Sequence, residues 1–517
     1  MTNAFLILLP IALFLVMLAG LSIWAERAGR GNRFAGEYFL GDRSLKGFVL
    51  AMTLVATYGS VSSFVSGPGL AWQLGLGWVV FAAPQIIAGF LILGVAGKKM
   101  AVVSRAAGAL TVIDMIRARY GNGRGGRALA ALLAVLMLVF FTTMMIGQFI
   151  GGAQIFSKAA GVSYGWGLFL FGAVTVFYTA FGGFRAVAVT DTACAVLMLA
   201  GMGALGWNIL ETGGGLEAVM AKVAAAAPRG PGSEGVLLTP ASGGALATSL
   251  LLSAWVLVGF GTLGLPQSAV RCMSYRRSSD LHQAMIVSTV VCGALMIGMT
   301  VLGVFARGIL EAPLSEMGGT TDAVMPYLIA NYMDPVTAGV TLIGPLAATM
   351  STVSSLLLAA ASAIMKDLVL FHWPEAGRSE GRLRLTTRLL TGALGLLALV
   401  LALEPLDVIA WINLFAFGGL ELAFLLPLIG GLFWRGATAG GALACVVGGI
   451  GFYLAVMVLK IPMGGAHAIV PSMAVAVVLF AAGSKLTPAS PDGAIDLFFP
   501  RPSSAGGPPS GCKCEKA

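Results

Sequence analysis

The stretch Ala51-Met-Thr-Leu-Val-Ala-Thr-Tyr-Gly-Ser-Val-Ser-Ser-Phe-Val-Ser-Gly-Pro-Gly69 sets hydroxyls and helix breakers inside an apolar run. Thr53, Thr57, Tyr58, Ser60, Ser62, Ser63 and Ser66 lead into Gly67-Pro68-Gly69. A lipid-facing helix has no use for so many hydroxyls. A broken helix frees backbone groups, and at membrane depth these are tolerated only when buried in protein or lining a cavity. The chemistry on offer is the binding of a small solute or a cation. A monovalent cation such as sodium is held by several oxygens, and unwound backbone carbonyls with hydroxyls from a facing helix supply them without a carboxylate.

Ala347-Ala348-Thr349-Met350-Ser351-Thr352-Val353-Ser354-Ser355 is a second hydroxyl cluster. Taken alone, such a cluster more often back-bonds to i−4 carbonyls or joins helices. The acids inside apolar runs are Asp191, Glu421 and, at an edge, Asp407. Intramembrane acids tend to face cavities or partners. Asp191 follows Gly182-Gly183-Phe184-Arg185, so a local pair with Arg185 and a cavity-facing role weigh equally. Glu421 lies deeper and its role is open. Gln85 and Gln148 suit either a solute hydrogen bond or helix joining, and joining is favoured. No Ser-His-Asp, Cys-His or paired-carboxylate arrangement stands out at helical spacing, so an enzyme is not expected. Gly97-Lys98-Lys99 does not complete a nucleotide-binding loop.

The elements that must position these residues are membrane helices. The 517 residues are 58% hydrophobic and 10% charged, where a soluble domain carries roughly a quarter charged. Thirteen apolar runs recur, at about 4–24, 47–72, 78–97, 128–157, 163–183, 188–210, 246–270, 283–306, 336–365, 386–403, 406–433, 437–459 and 465–484. Each fits one crossing. Of the 31 lysines and arginines, only Lys158, Lys222, Arg229, Arg307 and Lys460 fall in one alternate set of loops. The other set, including Arg271, Arg276 and Arg277, is therefore cytoplasmic, with the N-terminus outside and the C-terminus inside. The net charge of +9 belongs to those loops rather than to a nucleic-acid site. A short amphipathic helix is expected around Leu110–Arg119. Most of the six cysteines sit in apolar runs as core residues, and Cys512 and Cys514 are expected to be free and reduced in the tail.

The second run is interrupted at Gly59 and Gly67-Pro68-Gly69. Five runs later the seventh is interrupted by Gly259-Phe-Gly261-Thr-Leu-Gly264-Leu-Pro266. Two broken spans that open blocks of opposite orientation are the sequence mark of an inverted-repeat transporter with a midplane site. The expected organisation is a first helix and loop over 1–46, a first repeat over 47–210 and an extracytoplasmic loop over 211–245. A second repeat over 246–435, two last helices over 436–485 and a disordered cytoplasmic tail over 486–517 follow.

From about Glu37 to Phe480 the chain resembles the sodium:solute symporter family. Segments that carry the resemblance include Glu37-Tyr-Phe-Leu-Gly-Asp-Arg-Ser44, Ala56-Thr-Tyr, Gly67-Pro-Gly69, Gln148-Phe-Ile-Gly-Gly-Ala153, Tyr178-Thr-Ala-Phe-Gly-Gly-Phe-Arg-Ala186, Met350-Ser-Thr352 and Asn413-Leu-Phe-Ala-Phe-Gly-Gly-Leu-Glu421. Within the family it looks most like the members that carry pantothenate. The resemblance implies an all-α, LeuT-type fold of inverted five-helix repeats with about thirteen transmembrane helices, in the cytoplasmic membrane. It implies symport of sodium with a small organic anion such as pantothenate. A monocarboxylate, an amino acid such as proline, or a passive channel are the alternatives. It also places sodium on the backbone oxygens of Ala56, Gly59 and Ala348 and the hydroxyls of Ser351 and Thr352. Asp191 matches an acid that influences cation coupling in relatives. The solute is expected near Thr57, Ser60, Ser63, Gln85, Gly261 and Thr262. Neither a nucleic acid nor an obligate protein partner is expected. Proline-carrying members have an aspartate where this chain has Tyr58. A second family signature near Gly431-Leu-Phe-Trp-Arg435 has its basic residue one place early.

Overall fold

The computed structural model describes residues 2–28, 34–317, 319–404 and 408–500. Arg30, Arg33, Asp407, Cys512 and Cys514 lie outside the described residues. Helices account for nearly all of the regular structure, and one isolated bridge joins Leu45 to Tyr275.

The chain begins with α1 (Thr2–Ala28). The second span is two helices, α2 (Gly47–Tyr58) and α3 (Ser62–Leu74), bent by 68°. Then come α4 (Leu76–Ala106), the amphipathic α5 (Val112–Tyr120), α6 (Arg124–Ala160) and α7 (Tyr164–Gly213). The next span is again broken, into α8 (Thr248–Gly264) and α9 (Pro266–Ser274), bent by 46°. It is followed by α10 (Ser278–Ala306), α11 (Pro335–His372), α12 (Glu380–Leu401), α13 (Ile409–Phe433), α14 (Ala439–Val458) and α15 (Ile469–Leu486). A short helix, α16 (Asp492–Phe498), packs Ile495 and Phe498 into the core, where a disordered tail was expected from residue 486.

Among the described residues, length and composition give ten helices able to span a membrane, or twelve with each bent pair taken as one. The difference from the expected thirteen lies in α7, one run of 50 residues where two spans were expected. A straight helix of that length would extend about 75 Å, against a hydrocarbon core of about 30 Å. It is broken at Gly183, whose φ of 65° is in the left-handed region. A Cβ there would stand 2.9 Å from the Tyr38 ring, so both the backbone and the packing demand glycine.

Local chemistry explains the other interruptions. At Gly59 the backbone turns extended (φ −71°, ψ 115°) and α2 ends. Pro266 opens α9 at its first turn, where the missing N–H costs nothing. The starts of α2 and the end of α9 are tied together. Leu45 donates its N–H to the Ser274 carbonyl at 3.2 Å, and Arg276 donates to the Leu45 carbonyl at 3.0 Å. The hydroxyl-rich α11 is buried along most of its length and packs on α7, α6 and α2. The fold therefore lays the second hydroxyl cluster directly against the first break.

Candidate cation site and solute cavity

The last carbonyls of a helix have no intrahelical donor. At the end of α2 these are turned toward α11. Ser351 Oγ lies 2.9 Å from the Ala56 carbonyl, 2.8 Å from that of Ala347 and 3.1 Å from that of Ala348. Thr352 Oγ1 lies 3.2 Å from the Gly59 carbonyl and 2.9 Å from that of Ala348. Ser351 and Thr352 are both buried. Each hydroxyl has one proton, so the two can serve only two of these four carbonyls at once. The cluster is rich in oxygen lone pairs and poor in donors. That balance suits a desolvated monovalent cation. All five residues expected to hold sodium, Ala56, Gly59, Ala348, Ser351 and Thr352, meet at this one point.

One helical turn further along α11 lies an ion pair. Arg271 Nη2 donates to Asp191 Oδ2 at 3.3 Å, to Ser355 Oγ at 2.7 Å and to Thr53 Oγ1 at 3.2 Å. Thr53 Oγ1 donates to Asp191 Oδ2 at 2.7 Å. Both charged side chains are almost fully buried, at 2% and 0% exposure. The group ties α2, α7, α9 and α11 together. Two expectations change here. Asp191 does not pair with Arg185, and Arg271 is not a loop cation, because α9 carries it inward between the spans. Its nearness to Arg276 and Arg277 made it read as a loop residue.

Beside the cation cluster is a small cavity lined by Tyr58, Ser60, Ser62, Ser63, Trp78, Phe81, Gln85, Val258, Thr300, Asn413 and Phe417, among others. Trp78 and Phe81 stack with ring centroids 4.6 Å apart, and Trp411 meets Trp78 edge-on at 5.8 Å. Tyr58 donates its hydroxyl to the Val258 carbonyl at 3.0 Å, so it joins the break of the second span to that of the seventh. Of the residues expected near the solute, Ser60, Ser63 and Gln85 line this cavity. Thr57 does not. Its hydroxyl donates back to the Thr53 carbonyl at 2.7 Å and meets Ser355 Oγ at 3.0 Å. Thr262 donates to the Gly259 carbonyl at 2.6 Å, and Gly261 faces the Glu421 carboxylate, so neither reaches the cavity. Gln148 joins helices, accepting from the Val61 N–H at 3.0 Å and donating to Asn413 Oδ1 at 3.4 Å. Trp78, Phe81, Thr300 and Asn413 were missed. Single aromatic and polar residues in apolar runs carry no periodic signal.

The family model for the sodium:solute symporter family matches residues 38–449. A protein named sodium/pantothenate symporter from Escherichia coli (strain K12) is 40% identical over 491 residues, covering 95% of this chain and 98% of the relative. One of the same name from Haemophilus influenzae (strain ATCC 51907 / DSM 11121 / KW20 / Rd) is 38% identical over 481 residues, covering 93% and 96%. Among solved structures, a Na+-coupled sialic acid symporter in a substrate-bound outward-open state superposes with a TM-score of 0.75 at 16% identity, covering 94% of this chain and 99% of that one. The fold is thus that of the LeuT-type transporters, two inverted five-helix repeats with flanking helices, and the chain belongs to the sodium:solute symporter family.

Proposed function

We propose that the protein is a sodium-driven symporter that imports pantothenate. The observation that carries the sodium half is the meeting of the Ala56 and Gly59 carbonyls with Ser351 and Thr352 across the α2 break. The pantothenate half is supported by two relatives of that name, similar over nearly their whole length. Pantothenate is a small anion with hydroxyl and amide groups. The cavity offers hydroxyls, Gln85 and Asn413 for hydrogen bonds and aromatic walls for its carbon skeleton. A carboxylate needs no arginine there, because half-helix N-termini favour negative charge.

The membrane is the cytoplasmic membrane, with the N-terminus outside and the C-terminus inside, and each half of α7 is a separate span. In that orientation Trp78, Phe81, Gln85, Thr300, Asn413 and Phe417 lie in the outer halves of their helices, and the Asp191–Arg271 pair lies on the cytoplasmic side. Residues 47–210 and 246–435 form the two repeats. Sodium bound between α2 and α11 stabilises the arrangement that admits solute, which is the differential binding that coupling requires. Asp191 takes part in coupling by holding Arg271 against Ser355, one turn from the sodium oxygens.

The test is uptake of labelled pantothenate into proteoliposomes, with and without an inward sodium gradient. Accumulation above the outside concentration only with the gradient is expected. Equal uptake in both rejects symport, and failure to exceed the outside concentration indicates a passive channel. Competition by proline or a short monocarboxylate, without competition by pantothenate, would reassign the solute.

A further inference from the structure

Glu421 is a fully buried acid that the proposed transport cycle leaves unused. It lies on α13, one helical turn past Phe417, which lines the cavity. Its exposure is 0%, and neither carboxyl oxygen has a hydrogen-bond partner among the described residues. A buried carboxylate without a partner costs several kcal/mol, so such a group is neutral or has bound a cation.

The surroundings decide between these. A Cβ added to Gly261 would overlap both the Glu421 carboxylate and the Val256 carbonyl, so the acid lies against the broken backbone of α8. The titratable groups that face it are two tyrosines, one from α14 and one from α2. Tyr453 donates to the Phe415 carbonyl at 3.2 Å, and Tyr58 donates to the Val258 carbonyl. Neither hydroxyl proton is left for Glu421. From α6 comes the apolar ring of Phe140, packed on Gly419, and α8 presents Gly261 and the Val256 carbonyl. The Val256 carbonyl can only accept a hydrogen bond, and no group among the described residues donates one to Glu421. A carboxylic acid O–H can donate to such a carbonyl, and a carboxylate cannot. The packing is close as well. A Cβ on Gly418 would stand 2.7 Å from the Tyr453 hydroxyl, and one on Gly264 would stand 2.8 Å from Leu425. A proton needs no room where a metal ion with its oxygens does.

We propose that Glu421 is a proton-binding site at the break of the seventh span, filled in the arrangement described here and emptied when that break rearranges, so that a proton crosses with the solute. The O–H proton passes to water on one side of the membrane, and the carboxylate takes another from water on the other. His467, outside the spans, has its ring tilted against that of Tyr453, with centroids 6.3 Å apart. Burial pushes its imidazole down to about 4, so it stays neutral near pH 7 and does not supply this proton.

The experiment uses purified protein in liposomes that contain a pH-sensitive dye, with labelled pantothenate outside and an inward sodium gradient. Solute uptake and luminal pH are read together. The lumen should acidify in step with uptake. Glu421→Gln should lower the acidification per solute carried at least fivefold, and His467→Gln should leave it unchanged. Sodium-driven uptake without acidification, or an undiminished signal per solute in Glu421→Gln, overturns the proton site while leaving sodium symport standing. Absence of sodium-driven uptake tests the symport reading instead, and the next measurement then decides on Glu421. That measurement also serves if Glu421→Gln does not fold. Infrared spectra of the wild type at pH 7, with carbon-13 in glutamate only, should contain a protonated-carboxylic-acid band that shifts with the label. Its absence overturns the proposal.

Discussion

The two broken spans end in the same way and are completed by opposite chemistry. At the first break, carbonyls at the end of α2 meet neutral hydroxyls of α11. At the second, the irregular backbone of α8 meets one carboxyl group of α13. The first surroundings can share several oxygens around a metal ion and carry no charge of their own, so a cation leaves them as readily as it enters. The second hold a single titratable group in close packing, which suits a proton. In the proposed reading an inverted repeat yields two cation sites of different kinds, because the facing helices carry different side chains. Tyr58 bridges the two breaks through the Val258 carbonyl, so a rearrangement at one is felt at the other.

The largest effect is expected beside the first break. Arg271→Ala leaves Asp191 buried without its cation, and removing one partner of such a pair costs about 3–5 kcal/mol. Thermal unfolding in detergent should fall sharply, and the double variant with Asp191→Asn should recover much of the loss. If Arg271→Ala alone unfolds like the wild type, the pair does not hold the four helices together. At the second break, Gly261→Ala drives a methyl into the Glu421 carboxylate, and overpacking of this kind costs about 1–3 kcal/mol. It should reduce transport and alter the proton signal, yet leave the sodium concentration for half-maximal uptake within about twofold. A large change in sodium dependence would mean that the two breaks are one site. The smallest effect is expected between them. Tyr58→Phe removes one neutral hydrogen bond, about 1 kcal/mol, and should lower the uptake rate a few-fold with both cation dependences retained. No change in rate would show that the bridge carries no coupling.

Much of this arrangement is legible in the residues themselves. Gly59, Gly67-Pro68-Gly69 and the Gly259–Pro266 stretch locate both breaks, because backbone freedom and helix breaking are properties of single residue types. The hydroxyl run at 349–355 marks a polar face, although its back-bonding and ligand roles have the same spelling. Only the fold, or a resemblance, sets Ser351 against Ala56 some 300 residues away. Arg271 misled because local charge density reads as loop, while burial depends on what packs around α9. Thr57 and Thr262 misled because a threonine in a helix can satisfy itself on the backbone behind it. Glu421 stood out as a deep acid, and its lack of a partner is a property of its neighbours, which no local pattern encodes.

The central claim is that the α2 carbonyls and the α11 hydroxyls hold the sodium ion that drives transport. The most direct test is initial pantothenate uptake into proteoliposomes as a function of external sodium, for the wild type, Thr352→Ala and Thr352→Ser. The account predicts that Thr352→Ala raises the sodium concentration for half-maximal uptake about tenfold, equivalent to about 1.4 kcal/mol, and that Thr352→Ser, which keeps the hydroxyl, restores it. An unchanged sodium dependence in Thr352→Ala would contradict it.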